Sequence, residues 1–134
     1  MAVVRSEVMQ LRATVDVVSM RQAVRRWAAE AGFGLVDQTK IVTAASEIGR
    51  NTIVYGRGGI AKLELLNDNL RHGVRIVFED KGPGIPDIDL ALKDGYGTGS
   101  GLGLGLGGAR RLVNEFQIES RVNEGTRITL VKWN

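Results

Sequence analysis

The chain has 134 residues, a formal net charge of +3 and no cysteine. This length fits one domain, residues 1–134, that can fold without disulfides or structural metals. The lack of cysteine excludes a disulfide scaffold, a cysteine nucleophile and a thiolate zinc site. Basic residues are scattered and only 5% of residues are aromatic, which argues against a nucleic-acid partner. Apolar runs are far shorter than the about 20 residues that span a membrane, so we expect a cytoplasmic protein with no membrane partner.

The pattern of apolar residues predicts the elements in chain order. A strand is expected over residues 3–14, followed by a helix that Asp16 caps and that ends near residue 31. A second helix is expected from about residue 37 to 55, then strands near 61–65 and 74–78. A loop over 81–100 with a helical turn near 87–92 follows. A third helix near 102–116 and a hairpin of 118–122 with 126–133 complete the chain.

Apolar spacings of three and four indicate which helix faces are buried. This order of elements predicts an α+β fold, a two-layer α/β sandwich whose helices cover one face of a mainly antiparallel mixed sheet. The apolar stripe of the first helix comprises Val17, Met20, Val24, Trp27, Ala28 and Ala31. The stripe of the second helix comprises Ile41, Ala44, Ala45, Ile48, Thr52 and Tyr55. At about 100° per residue, Glu47 and Asn51 lie together at the edge of this second stripe.

Several nucleotide-binding and catalytic motifs are absent or out of context. His72 is the only histidine, which excludes histidine-based triads and histidine-rich metal sites. The Gly-Lys-Ser/Thr core of a P-loop does not occur. A G-x-G-x-x-G match begins at Gly103, but no strand immediately precedes it and too little chain follows for a dinucleotide-binding fold.

The first candidate feature is the pair Glu47 and Asn51, four residues apart on a helix and therefore neighbours. A carboxylate beside a neutral oxygen ligand suits the activation of a hydroxyl next to Mg²⁺, which prefers oxygen ligands. The alternative is an ordinary polar helix edge.

The second feature is the segment Asp80-Lys81-Gly82-Pro83-Gly84-Ile85 after a strand. Its glycines let the backbone approach a flat ligand, and an ionised Asp80 can accept a hydrogen bond from an exocyclic amine such as that of adenine. The alternative is a tight turn closed by an Asx hydrogen bond.

The third feature is the run at 99–108, in which glycine alternates with leucine and opens a helix. Backbone N–H groups at a helix start favour phosphate. The alternative is a flexible linker, although such linkers combine glycine with serine rather than leucine.

These features and Gly125-Thr126 follow one another in the order and spacing of four ATP-site motifs. In this the chain resembles the GHKL (Bergerat-fold) ATPases. Its small size and the stretches SEIGRN, DGYGTGSGLGLGLGG, ARRLVNEF and GTRITLVKW are similar to the anti-sigma regulatory serine/threonine kinases, and most to their stressosome switch kinases. The motifs match in order and spacing across about 80 residues, from Glu47 to Thr126, and the predicted elements agree over nearly the whole chain.

The resemblance also implies roles for individual residues. Glu47 would be the general base that polarises the acceptor hydroxyl, Asn51 the Mg²⁺ ligand, and Asp80 the partner of the adenine amino group. The other residues implied at the ATP site are Gly82, Gly84 and Ile85 beside the base, Thr98 and Ser100 on the lid, Gly101, Gly103, Gly105 and Gly107 around the phosphates, and Thr126, which supports Asp80 through water.

The function that the resemblance implies is Mg-ATP-dependent phosphorylation of a serine or threonine on STAS-domain scaffold or antagonist proteins. Once released from them, the kinase would bind the regulatory domain of a PP2C-type phosphatase and activate it. Two alternatives remain at this point: an anti-sigma-factor kinase that binds a sigma factor, and a nucleotide-dependent docking module with little catalysis.

Overall fold

A computed structural model describes residues 1–93 and 105–134, and within them the chain forms five strands and four helices. In chain order these are β1 (Ala2–Leu11), α1 (Thr14–Glu30), α2 (Leu35–Val54), β2 (Gly59–Asn67), β3 (His72–Asp80), α3 (Ile88–Ala91), α4 (Gly105–Arg111), β4 (Glu115–Arg121) and β5 (Gly125–Trp133).

The strands form one sheet in the order β1-β2-β3-β5-β4, with β5 inserted between β3 and β4. All four neighbouring pairs in the described residues are antiparallel. The predicted α+β class is therefore confirmed, and the sheet is antiparallel throughout rather than mixed. Among the residues described, no helix is both long enough and apolar enough to cross a membrane.

The core lies between the sheet and the helices α1 and α2. Inward side chains meet in register, because Leu63 pairs with Ile76 and Ile76 pairs with Leu130, all fully buried. Both predicted helix stripes are buried except at Tyr55, which is 53% exposed. Tyr55 is the C-cap of α2 and still has helical backbone angles, but it borders an open cavity rather than the core.

The start of α1 differs from the prediction. The helix begins at Thr14 with Ala13 as its N-cap, and Asp16 lies in the first turn. The Asp16 carboxylate accepts hydrogen bonds from the N–H groups of Arg12 and Ala13. Asp16 thus satisfies backbone donors from inside the helix, and β1 ends earlier than expected, at Leu11.

The third predicted helix is wrong at its C-terminal end. Helix α4 ends at Arg111, and Phe116 belongs to β4. Asn114 donates its N–H to the Val131 carbonyl and accepts the Trp133 N–H at its side-chain oxygen. These two bonds draw the chain into the sheet, where strand pairing overrides a local pattern that fits a helix.

A buried ion pair on β2 and β3 gives a testable pH dependence. Arg75 Nε lies 2.7 Å from Glu64 Oε1, and only 9% of the Glu64 side chain is exposed. The hydrogen bond from Arg75 holds the pKa of Glu64 below its ordinary value of 4.5. The stabilisation is therefore fully present above that value and is lost as the pH falls through the lower pKa of the folded state.

We expect Arg75→Gln to reduce the free energy of unfolding at pH 7 by about 1–3 kcal/mol, because Glu64 would stay buried without its partner. The difference from the wild type should shrink as the pH falls below 4.5, because without Arg75 the main cause that lowers the pKa of Glu64 is gone and its buried carboxylate is neutralised at a higher pH than in the wild type. Urea denaturation at pH 7 and pH 3.5 measures both values. An equal difference at the two pH values would contradict this account.

Candidate functional site

A cavity of about 530 Å³ opens beside the C-terminal half of α2 and the end of β3. Residues from all four sequence motifs line it: Asn51, Asp80, Ile85, Leu106 and Thr126. Apolar side chains supply most of the remaining wall, including Ile48, Pro83, Ala91 and Ile128. Its volume lies within the about 300–1,000 Å³ that is usual for small-molecule sites.

Strand pairing brings two of these segments together. Asp80 at the end of β3 lies directly opposite Thr126 near the start of β5. The Thr126 and Ser120 hydroxyl oxygens are 2.8 Å apart, and Ser120 Oγ accepts the Ile85 N–H at 2.7 Å. The loop after β3 is thereby tied to the β4–β5 hairpin, which holds Ile85 at the cavity wall.

Asp80 is oriented by the glycines around it. Its Oδ1 accepts the Gly82 N–H at 2.9 Å, which is the Asx hydrogen bond of the turn alternative. Gly56 lies so close that a Cβ on it would overlap the Asp80 carboxylate. Gly82 packs on Gly56 in turn, since a Cβ added to Gly82 would lie 2.8 Å from the Gly56 Cα. Gly84 lines the cavity and adopts a φ of 77°. One Asp80 oxygen is thus committed to the turn, while the side chain still borders the cavity.

Glu47 lies one turn before Asn51, and its carboxylate is held at both oxygens. Oε1 is 2.7 Å from Arg50 Nη2, and Oε2 accepts the Gly105 N–H at 3.2 Å. The Glu47 side chain is 10% exposed, more buried than an edge position predicts. Because Gly105 precedes Leu106 in the cavity wall, this bond links the carboxylate to the glycine segment.

Of the remaining predicted residues, some lie in the part of the chain that the structure describes and the others do not. Gly105 and Gly107 lie in the first turn of α4 and are buried. Thr98, Ser100, Gly101 and Gly103 fall within residues 94–104, outside the described residues. In the part of the chain that is described, no three His, Cys, Asp or Glu side chains are grouped as metal ligands.

Sequence reasoning missed three residues of this site. Gly56 follows the second predicted helix, where a glycine is an ordinary end signal, whereas its contact with Asp80 depends on how α2 meets β3. Ser120 joins the loop to the hairpin only because of the β4–β5 register. Arg50 did carry a readable signal, since an opposite charge three residues after Glu47 predicts a pair on one helix face.

The contact between Gly56 and Asp80 leads to a prediction. We expect Gly56→Ala to lower the affinity for ATP at least tenfold, about 1.4 kcal/mol, because the new methyl group must displace the Asp80 carboxylate. Gly34→Ala is the matched control, since nothing lies within 4 Å of its Cβ position. Calorimetric titration with an ATP analogue measures both. Equal affinities for the two variants would refute the steric role of Gly56.

Comparison with known proteins identifies the family. The family described as "Histidine kinase-like ATPase domain" matches residues 10–132, and the chain belongs to it. The chain is 47% identical over 118 residues to the serine/threonine-protein kinase RsbT of Bacillus subtilis, covering 88% of this chain and 89% of that protein. It is also 30% identical to an anti-sigma F factor of Clostridium kluyveri, covering 73% and 72% of the two chains.

Solved structures agree with the fold. The RsbU and RsbW domains of Rv1364c from Mycobacterium tuberculosis match with a TM-score of 0.66 and 26% identity, covering 96% of this chain and 32% of that one. The chain thus spans about a third of that structure. A SiaB–SiaC complex from Pseudomonas aeruginosa matches with a TM-score of 0.56 at 11% identity, which supports the fold alone. By family and relatives, the chain is an RsbT-like enzyme of the ATP-dependent serine/threonine-protein kinase class.

Proposed function

We propose that the chain binds Mg-ATP in the cavity and phosphorylates a serine or threonine of a STAS-domain scaffold or antagonist protein. The observation that carries this proposal is the shared cavity: Asn51, Asp80, Leu106 and Thr126 come from four separate segments and border one space. The 47% identity to a serine/threonine-protein kinase supports the reaction class. The STAS substrates come from the resemblance in the sequence.

Adenine recognition is assigned to Asp80 and its surroundings. The carboxylate would accept the hydrogen bond of the exocyclic amino group, with Thr126 supporting it through water. Gly82 and Gly84 give the loop its close backbone path, and Ile85 packs beside the base. The apolar wall formed with Ile48 and Ile128 suits a flat heterocycle.

The phosphates and the metal are assigned to the other end of the cavity. The Asn51 side-chain oxygen is the type of ligand that Mg²⁺ accepts, and the residue borders the cavity. When bound, the metal would neutralise charge on the phosphates. Because Asn51 is neutral, we expect weak Mg²⁺ binding without nucleotide. Gly101, Gly103, Gly105 and Gly107 would surround the phosphates, with Thr98 and Ser100 donating hydrogen bonds to them.

Glu47 is assigned the role of general base. Its carboxylate would accept the proton of the acceptor hydroxyl while that oxygen forms a bond to the γ-phosphorus. The bond from the γ-phosphorus to the oxygen shared with the β-phosphate breaks, and ADP leaves with that electron pair. The products are ADP and a phosphorylated serine or threonine. Most of the rate enhancement in such a step comes from positioning and charge stabilisation.

We further propose that residues 1–134 act as one cytoplasmic kinase domain with two kinds of partner. Besides its substrates, the released kinase would activate a PP2C-type phosphatase through the regulatory domain of that phosphatase. The similarity to anti-sigma F factors favours one second candidate, a kinase that also binds a sigma factor. Co-purification with a sigma factor but not with a phosphatase regulatory domain would favour the second candidate.

Transfer of radiolabel from [γ-³²P]ATP to purified STAS-domain proteins tests the proposed reaction. We expect Mg²⁺-dependent labelling of a serine or threonine, which phosphoamino-acid analysis identifies. Binding of an ATP analogue without any transfer would support a docking module instead. Absence of both binding and transfer would overturn the proposal.

A further inference from the structure

The Glu47 carboxylate has a different partner at each oxygen. Arg50, three residues further along α2, contacts Oε1 at 2.7 Å. The N–H of Gly105, the first residue of α4, donates a hydrogen bond to Oε2 at 3.2 Å. Two partners in different directions fix both the position of a carboxylate and the rotation of its plane. The sequence motifs assign no role to Arg50.

We propose that Arg50 is a positioning residue for phosphotransfer, holding the Glu47 carboxylate in the orientation from which it accepts the proton of the acceptor hydroxyl. This inference rests on the proposed function, because it requires Glu47 to be the base. Arg50 itself is not assigned a contact with ATP or with the acceptor.

The asymmetry in exposure supports a positioning role. The Arg50 side chain is 48% exposed, whereas that of Glu47 is 10% exposed. The guanidinium therefore reaches Oε1 from the solvent side, and Oε2 faces the protein. Because a protein substrate also approaches from solvent, we take Oε1 as the oxygen that meets the acceptor hydroxyl. Arg50 controls where that oxygen points.

If the Glu47–Arg50 ion pair only stabilised α2, a different result would be expected. Pairs of opposite charge at this spacing stabilise helices only weakly, so their loss should leave folding and turnover almost unchanged. Misplacement of a catalytic group by about 1 Å can lower a rate about 100-fold. A large loss of kcat without loss of stability therefore distinguishes positioning from stabilisation.

The chain provides a matched control for this test. Arg71 forms an ion pair with Asp68 at the same spacing, with an Nε–Oδ2 distance of 3.0 Å and 47% side-chain exposure. It lies at the β2–β3 turn, away from the residues that line the cavity. Arg71→Gln removes this exposed pair together with the contact of the guanidinium over the Trp133 ring, 4.0 Å from the ring centroid, so it reports what the loss of an exposed arginine pair outside the site does to turnover.

The experiment compares Arg50→Gln, Arg50→Lys and Arg71→Gln in steady-state transfer from Mg-ATP to the STAS-domain acceptor of the wild-type chain. We expect Arg50→Gln to lower kcat at least tenfold, with the Kd for ATP and the KM for the acceptor within about threefold of wild type. Arg50→Lys should recover part of kcat, because an ammonium can also pair with Oε1. Arg71→Gln should match the wild type.

Each outcome has one meaning when Glu47→Gln is measured beside these variants. A kcat within twofold of wild type for Arg50→Gln, with Glu47→Gln inactive, overturns this inference and leaves the proposed function standing. Full activity of Glu47→Gln overturns this inference together with the assignment of Glu47 as the general base, whereas absence of both ATP binding and transfer in the wild type overturns the proposed function itself. A parallel loss of ATP affinity in Arg50→Gln, or a lysine variant no better than glutamine, also overturns the positioning role. Should the glutamine variant fail to fold, Arg50→Met takes its place with the same expected loss of kcat, because methionine also lacks a charge to pair with Oε1. A kcat of Arg50→Met within twofold of wild type would overturn the inference.

Discussion

Replacing Glu47 with glutamine is expected to lower kcat for phosphotransfer about 10²–10⁴-fold, the usual contribution of a general base. Glutamine keeps the shape of the side chain but cannot accept the hydroxyl proton. Its amide oxygen can still accept one of the two hydrogen bonds that the carboxylate receives from Arg50 and Gly105. ATP binding should therefore stay within about threefold of wild type.

Single-turnover transfer and nucleotide titration separate these two quantities for Glu47→Gln. Glu30→Gln is the control, since Glu30 forms an exposed pair with Arg5 on α1 and β1. Undiminished turnover in Glu47→Gln would remove Glu47 from the chemistry. A large loss of ATP affinity would instead assign Glu47 to nucleotide binding.

Replacing Asp80 with asparagine is expected to reduce ATP affinity about 100-fold, because the asparagine NH₂ group and the adenine amino group would face each other without a hydrogen-bond acceptor. Oδ1 of Asp80 already accepts the Gly82 N–H, so asparagine would keep its oxygen there. Its NH₂ group would then face the cavity and meet the amino group of adenine, donor against donor. An acceptor is required at this point.

Calorimetric titration of Asp80→Asn with ATP and with GTP tests the assignment. Glu79→Gln is the neighbouring control, because Glu79 pairs with Arg127 at the exposed surface. We expect the Glu79 variant to bind ATP like the wild type. Unchanged ATP affinity in Asp80→Asn would show that adenine recognition lies elsewhere.

Much of the fold could be predicted because its signals are local. The stripe from Val17 to Ala31 on α1 fits a helix on spacing alone, and every predicted member is buried. The alternation around Leu63 and Ile76 likewise predicted strands that pair in the core. These periods follow directly from the geometry of helices and strands, so no tertiary information is needed.

The two failures have different causes: a tertiary contact overrides the local pattern at Phe116, and a local hydrogen-bond pattern was misassigned at Asp16. Phe116 fits a helical stripe, yet it pairs with Leu130 in the sheet. Asp16 has the chemistry of an N-cap, but its carboxylate reaches back to Arg12 and Ala13 from the first turn of α1. At Phe116 the deciding hydrogen bonds come from β5, which the local sequence does not specify. At Asp16 the bonds are local, and only the position of the helix start differs from the prediction.

The sequence predicted the polar residues of the candidate site but not the contacts that hold them in place. Spacing placed Glu47 beside Asn51, and turn chemistry singled out Asp80. The structure brings Asn51, Asp80 and Thr126 to one cavity, while their roles in ATP binding stay predictions. The contact of Gly56 with Asp80 and the bridge through Ser120 depend on strand register and helix packing. Those contacts orient the polar groups, and no local motif encodes them.

The most direct test of a single ATP site is backbone amide NMR during titration with Mg²⁺ and a non-hydrolysable ATP analogue. We predict that the largest shift changes occur together, with one Kd, at Gly56, Gly84, Ile85 and Thr126, all of which border the cavity. Changes confined to α1 or to the outer strand β1, or no saturable change at these four amides, would contradict the account.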